Sequence, residues 1–134
     1  MKLDEFVKNY EGKQVDYDGA FGAQCVDLFR QYSKEVLNIS EHTGAVEGAK
    51  DLYLNFEKMP LMKKYFEKVF TPRKGDIVIF DKTESNKYGH VAVVIFCTYK
   101  TLVVFEQNGF AQEKGAYVKI RNFQKILGFI RRKN

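Results

Sequence analysis

At Arg73 the hydrophobic pattern of the chain changes period, and that change constrains the fold more than any other feature. Before it, apolar residues recur every three or four positions: first Leu3, Phe6, Val7 and Tyr10, then Cys25, Leu28, Phe29, Tyr32 and Val36. Each set makes one face of a helix. After it come short β-branched runs between polar or glycine-bearing breaks, starting with Gly75-Asp76-Ile77-Val78-Ile79-Phe80. Those runs read as strands. Helices first and strands second is the α+β class, one layer packed on the other. The 134 residues show no repeat, low-complexity tract or linker, so residues 1–134 read as one domain with one core.

In order, the pattern predicts a helix over about 3–11 stopped by Gly12, an acidic loop over 14–24, and a second helix over about 24–37. The loop from Ser40 to Gly48 carries His42, which reads as a surface histidine. Ala45, Ala49, Leu52, Tyr53 and Phe56 suggest a third helix, broken at Met59-Pro60. Tyr65, Phe66, Val69 and Phe70 lead on to Thr71-Pro72 and read as core packing, with the lining of a groove as the alternative. About five antiparallel strands follow, at 75–80, 90–99, 101–107, 117–123 and 126–131, the second and third joined as a hairpin around Lys100.

No run approaches the roughly 20 apolar residues needed to span a bilayer, so membrane insertion is not expected. The acidic N-terminus does not read as a secretory signal. Net charge is +5, but the basic residues are scattered without aromatic interleaving. They suit solubility or attraction to polyanions such as acidic wall polymers, and not nucleic-acid recognition. Two cysteines make no disulfide framework, and with His42 and His90 they lack the spacing of a zinc site.

The chemistry concentrates in Asp16-Tyr17-Asp18-Gly19-Ala20-Phe21-Gly22-Ala23-Gln24-Cys25-Val26-Asp27-Leu28. A thiol in the first turn of a helix lies near unsatisfied N–H groups and the positive end of the dipole, which favour the reactive thiolate. The competing reading is a small buried hydrophobe at the edge of the apolar stripe. His90 starts a strand directly after Gly89, and Glu106 and Asn108 share a strand face. In a hairpin turning near Lys100, residue 90 lies opposite about 108–110, so Glu106 and Asn108 come beside the imidazole. There they could fix its tautomer and stabilise its charged form. Singly, Glu106 could face solvent and Asn108-Gly109 could be turn chemistry; convergence of all three on one thiol is harder to attribute to accident.

Asp16, Asp18, Ala20, Gly22 and Asp27 occupy positions 1, 3, 5, 7 and 12 of a twelve-residue window, the ligand spacing of an EF-hand calcium loop. Side-chain oxygens would come from the aspartates and carbonyls from Ala20 and Gly22. The glycine stands at position 4 instead of 6, and position 12 is Asp instead of Glu. An Asx-turn would equally explain Asp16 and Asp18.

With these residues in place, the chain resembles the cysteine, histidine-dependent amidohydrolase/peptidase (CHAP) family. Asp16-x-Asp18-Gly19-x-x-Gly22-x-Gln24-Cys25-x-Asp27, Gly75-Asp76-Ile77-Val78-Ile79-Phe80 with Gly89-His90-Val91-Ala92-Val93-Val94, and Glu106-x-Asn108 match in order over roughly residues 14–131. The resemblance implies a papain-like fold and a peptidoglycan amide hydrolase similar to phage lysins. By it, Cys25 is the nucleophile, His90 the general base and Glu106 the residue orienting His90. Asn108 lies near the oxyanion, and Gln24 contributes to the oxyanion hole. It further implies a structural Ca²⁺ beside the nucleophile. The expected partner is bacterial peptidoglycan, met by a monomer or by part of a larger virion assembly. The expected location is the host cytoplasm before lysis, or the virion. Two rival readings are an NlpC-type peptidase, whose third residue is typically another histidine, and a non-catalytic wall-binding or virion module.

Overall fold

The computed structural model describes residues 1–20 and 22–134; Phe21, inside the acidic loop, lies outside them. Helix α1 spans Leu3–Tyr10 and buries Leu3 and Phe6. Helix α2 spans Cys25–Glu35, with Gln24 as its N-cap. Gln24 and Asp27 cap each other reciprocally: the Gln24 side chain accepts from the Asp27 N–H, and the Asp27 carboxylate accepts from the Gln24 N–H at 3.0 Å. That arrangement satisfies two donors that every helix start leaves open, and it places Cys25 on the first helical position.

The expected third helix is fragmentary, reduced to α3 (Asp51–Leu54) and a 3-10 turn at Phe56–Lys58. Gly48 falls between Ala45 and Ala49 of the expected apolar set and Gly44 just before it, which leaves only a short apolar-periodic piece. Pro60 does not end a helix; it opens α4 (Pro60–Tyr65). Its fixed φ suits a first turn, where a missing N–H costs nothing.

The strands are β1 (Phe66–Val69), β2 (Ile77–Phe80), β3 (His90–Cys97), β4 (Thr101–Glu106), β5 (Tyr117–Asn122) and β6 (Ile126–Arg132). Their order is β1-β6-β2-β3-β4-β5, with every neighbouring pair antiparallel. The sheet thus has six strands and not five. The extra strand, β1, follows α4 without a break and is fixed by pairing with β6, Phe66 opposite Arg132. The expected hairpin turns at residues 98–100, with a bulge between Val94 and Phe96.

One sheet face carries Ile77, Ile79, Val91, Val93, Phe105 and Ile130, packed with Phe6, Leu28, Phe29 and Tyr32 from α1 and α2. Phe6 meets Tyr32 and Phe105 edge-on, at ring distances of 5.4 and 6.0 Å. The other face buries Val78, Phe80, Ala92, Val94, Leu102, Val104 and Phe129, a cluster that among the described residues contains no helix residue. The sheet therefore closes that face with its own strands. Asp76, almost fully buried, accepts from Arg131 Nε and Nη2 at 2.7 Å each and from the Arg73 N–H at 2.9 Å. This pairing ties the approach to β2 onto β6.

Candidate active site

The head of α2 and the start of β3 meet at one cleft of about 450 Å³. Gln24, Cys25, His90 and Asn108 line it, together with Asp18, Ala20 and Asp27. The sequence-predicted residues Cys25 and His90 therefore share one space, across about 65 positions of chain. Glu106 does not line the cleft; it stands behind His90 with its side chain fully buried. The β3–β4 register explains the placement. Val93 pairs with Phe105 and Val94 with Val104, so continuing the same register sets His90 opposite Asn108, one diagonal step from Glu106.

Gly89 makes the turn into β3 possible. Its φ is +76°, and a Cβ there would fall 2.6 Å from the Phe80 carbonyl and 2.7 Å from Lys50 Cβ. Only glycine accepts both the left-handed backbone and the close approach.

His90 Nε2 lies 3.3 Å from Glu106 Oε1. Its N–H direction falls outside hydrogen-bond alignment, so the contact is an ion pair and not a well-formed hydrogen bond. With Nε2 turned to Glu106, Nδ1 is left for the Cys25 sulfur. Burial opposes a charge on His90, but the Cys25 side chain and the Glu106 carboxylate outweigh it and push the pKa up to about 9. Glu106 is held in turn by Arg121, through Nε at 2.5 Å and Nη2 at 2.7 Å, and by the Tyr117 hydroxyl at 3.0 Å. Burial disfavours the Glu106 charge, yet Arg121 and then His90 keep its pKa well below the ordinary carboxylate range. Burial and the neighbouring Glu106 push the Tyr117 phenol up to about 12, so it stays protonated and donates.

Three members of this arrangement escape a reading of the sequence alone. Arg121 reads as part of a scattered basic surplus, and Tyr117 as an ordinary strand aromatic. Only the β4–β5 register, with Glu106 opposite Tyr117 and Leu102 opposite Arg121, brings both to Glu106. The third is Gln107, fully buried. Its Nε2 donates to the Val15 carbonyl at 2.7 Å and to the Gln24 carbonyl at 2.8 Å, while its Oε1 accepts from the Val15 N–H at 2.8 Å. Gln107 thus staples the acidic loop and the head of α2 to the end of β4. A polar residue at a position whose alternation demands burial was the signal available.

Asn108 Oδ1 accepts from the Phe110 N–H at 2.8 Å, so it also closes the turn that forms the cleft's rim. Gln24 lies against Gly109 across the cleft floor. His42 stays an exposed loop residue whose Nδ1 accepts from the Gly44 N–H.

In the acidic loop, carboxylate oxygens of Asp16, Asp18 and Asp27 lie within 4.8 Å of one another. Burial, opposed by N–H groups of Gln24 and Tyr17 and reinforced by the charges of Asp18 and Asp16, pushes the Asp27 pKa up to about 6. Asp18 Oδ1 accepts from the Ala20 N–H at 2.9 Å, the Asx-turn geometry, and Gly22 follows at φ +74°. Three crowded carboxylates, one of them buried, form an oxygen-only donor set that fits a hard divalent cation.

Comparison with known proteins agrees with the fold and the motifs. The CHAP domain family matches residues 14–108. Endolysin PlyTW of Staphylococcus phage Twort is 27% identical over 97% of this chain and 29% of its own length. The D-alanyl-L-alanine endopeptidase of Streptococcus phage B30 is 29% identical over 66% of this chain and 20% of its own. The chain therefore spans less than a third of either relative. Among solved structures, the endolysin LysIME-EF1 superposes with a TM-score of 0.65 at 22% identity, covering 98% of this chain and 64% of that one. Ly7917, solved with the hydrolysing product of MDP, superposes with a TM-score of 0.62 at 21% identity, covering 95% of this chain and 60% of that one.

Proposed function

The chain belongs to the CHAP domain family, and from that membership we propose that it hydrolyses an amide bond in the peptide of bacterial peptidoglycan. The observation that carries the proposal is the line Cys25–His90–Glu106, with its first two members open to one cleft and the third locked behind.

The chemistry follows from the geometry. Cys25 Sγ bonds to the scissile carbonyl carbon while its proton resides on His90. The oxyanion that develops meets N–H groups at the head of α2 and the Gln24 side chain, with Asn108 on the facing wall. His90 then gives its proton to the departing amine, leaving a thioester on Cys25. Water attacks that thioester, His90 takes the water's proton, and the acid is released. Glu106 reaches no substrate; it orients the imidazole and keeps the charged form stable throughout.

Asp16, Asp18 and Asp27 would hold Ca²⁺, with backbone oxygen from Ala20 and Gly22. Bound there, the ion neutralises the carboxylates and braces the loop that leads into Cys25. The role is structural, and no step of the reaction passes through it.

Cys25→Ala should abolish solubilisation of purified walls while thermal unfolding stays near that of the parent; lysis at the parent rate would exclude the mechanism. Alkylation of Cys25 at mildly acidic pH separates the enzyme from a non-catalytic wall-binding module, whose thiol would stay inert. Mass spectrometry of the digested walls identifies the bond.

A further inference from the structure

The cleft does not end at His90. A second cavity, of about 520 Å³, shares His90, Asn108 and Phe110 with the first but excludes Cys25. His90 must hand its proton to the departing amine, so the amine-side fragment lies on the imidazole's side of the nucleophile. The second cavity is the space on that side.

Its charge is distinctive. Arg121 and Lys125 line it against a single carboxylate, Asp81. Glu106 occupies Arg121 Nε and Nη2. Arg121 Nη1 has no hydrogen-bond partner among the described residues, the guanidinium lies over the Phe80 ring at 5.1 Å, and the side chain keeps 26% of its surface exposed. Lys125, at the tip of the β5–β6 turn, has no carboxylate partner among the described residues either. In a linear peptide with a free C-terminus, cut at an internal bond, the amine-side fragment carries the terminal carboxylate. A planar fork and an ammonium suit that group.

We propose that the second cavity is the leaving-group subsite, where Arg121 Nη1 and Lys125 bind a carboxylate on the amine-side fragment of the substrate. The inference rests on the hydrolase reading above and names the part of the substrate that this end of the cleft selects.

The test uses wall-type stem peptides in two forms, one with a free C-terminal carboxylate and one with a C-terminal amide. The variant is Lys125→Asn, because residue 125 has φ +62° and asparagine tolerates that conformation. For the parent protein, amidation should raise KM about tenfold with kcat nearly unchanged, the effect of one charge-assisted hydrogen bond. Lys125→Asn should raise KM for the acid several-fold and leave the amide's KM where it was. A second arm titrates the Cys25→Ala protein with both peptides and follows backbone amide NMR shifts over residues 121–125. Equal KM for acid and amide in the parent would overturn the subsite and leave the hydrolase standing. No cleavage of either peptide, with acid-selective shifts at 121–125, would keep a carboxylate site there but overturn the hydrolase and, with it, the leaving-group role. No cleavage and no shifts would overturn both.

Discussion

Replacing Glu106 by Gln removes one negative charge and keeps the side chain's shape, so it isolates what that charge does for His90. In the parent, the pKa of His90 stands at about 9 against an ordinary 6.5. Two to three units correspond to about 3 kcal/mol, and that is the net gain after burial has already worked against the charge. With Glu106 gone, the Cys25 side chain alone opposes the same burial. The imidazole should then titrate below the parent's value, because one of the two groups that favour its charged form is gone. At pH 7.5 the parent's imidazole is well over nine-tenths protonated, and that share should fall in the variant. The assay is clean because the chain has two histidines, His42 and His90. Burial first, and Arg30 second, lower the pKa of His42, so the two imidazole NMR titrations should lie on opposite sides of 6.5.

Stability follows with a defined sign. A base whose native pKa is raised stabilises the fold fully below its unfolded pKa, near 6.5, and the contribution disappears as pH rises through about 9. The parent's unfolding free energy should therefore lose the His90 contribution across that window, and the loss should be smaller in Glu106→Gln. The variant should also cost about 2 kcal/mol at neutral pH, because Arg121 loses an acceptor that nothing replaces. A His90 titration still near 9 in Glu106→Gln would refute the reasoning, since the carboxylate would then not be what holds the proton.

Three further outcomes follow from the same geometry. Gln107→Leu should destabilise by about 2–4 kcal/mol in denaturant titration, because it strands the buried Val15 N–H and carbonyl; a loss under about 0.5 kcal/mol would mean that the staple is not structural. Gly89→Ala should cost about 1–3 kcal/mol and depress turnover, measured by thermal unfolding and wall lysis, because a Cβ meets the Phe80 carbonyl at 2.6 Å. In chelator, Asp27→Asn should not destabilise at pH 7, since the raised Asp27 pKa means that the charged carboxylate costs stability increasingly as pH rises through about 6. Added Ca²⁺ should raise the parent's melting temperature and leave the variant's unchanged, and equal shifts in both would remove Asp27 from the ligand set.

The parts of the fold that rest on periodicity were legible. The stripe Leu28, Phe29 and Tyr32 and the run Ile77 to Phe80 each carry a full period of their element, and both elements stand where that period puts them. The parts that rest on long-range pairing were not. β1 is four residues with a burial pattern no different from a loop's edge, and only β6 makes it a strand. Pro60 reads as a break because a helix before it was assumed. At the site, Cys25, His90 and Glu106 were legible because each is marked locally, the thiol at the start of the apolar helical stripe, the histidine directly after Gly89 and the glutamate on the hairpin partner of that strand. Arg121 and Tyr117 needed the register of β5, which no short-range pattern encodes.

The pairing of Glu106 with Gln107 ties the nucleophile to the base. Consecutive strand residues point to opposite faces, and here each face has its own task. Glu106 points to the side of Arg121, Tyr117 and His90. Gln107 points to the side of Val15 and Gln24, one residue before Cys25. One peptide unit at the end of β4 thus sets the imidazole from behind and the head of α2 from the other side. A slip of β4 by a single residue would put an amide behind His90 and a carboxylate against two backbone carbonyls, failing both tasks at once. Deleting one residue from the 98–100 turn should therefore abolish turnover more completely than it lowers the melting temperature, because the apolar residues of β4 can partly repack but the two polar ones cannot trade places.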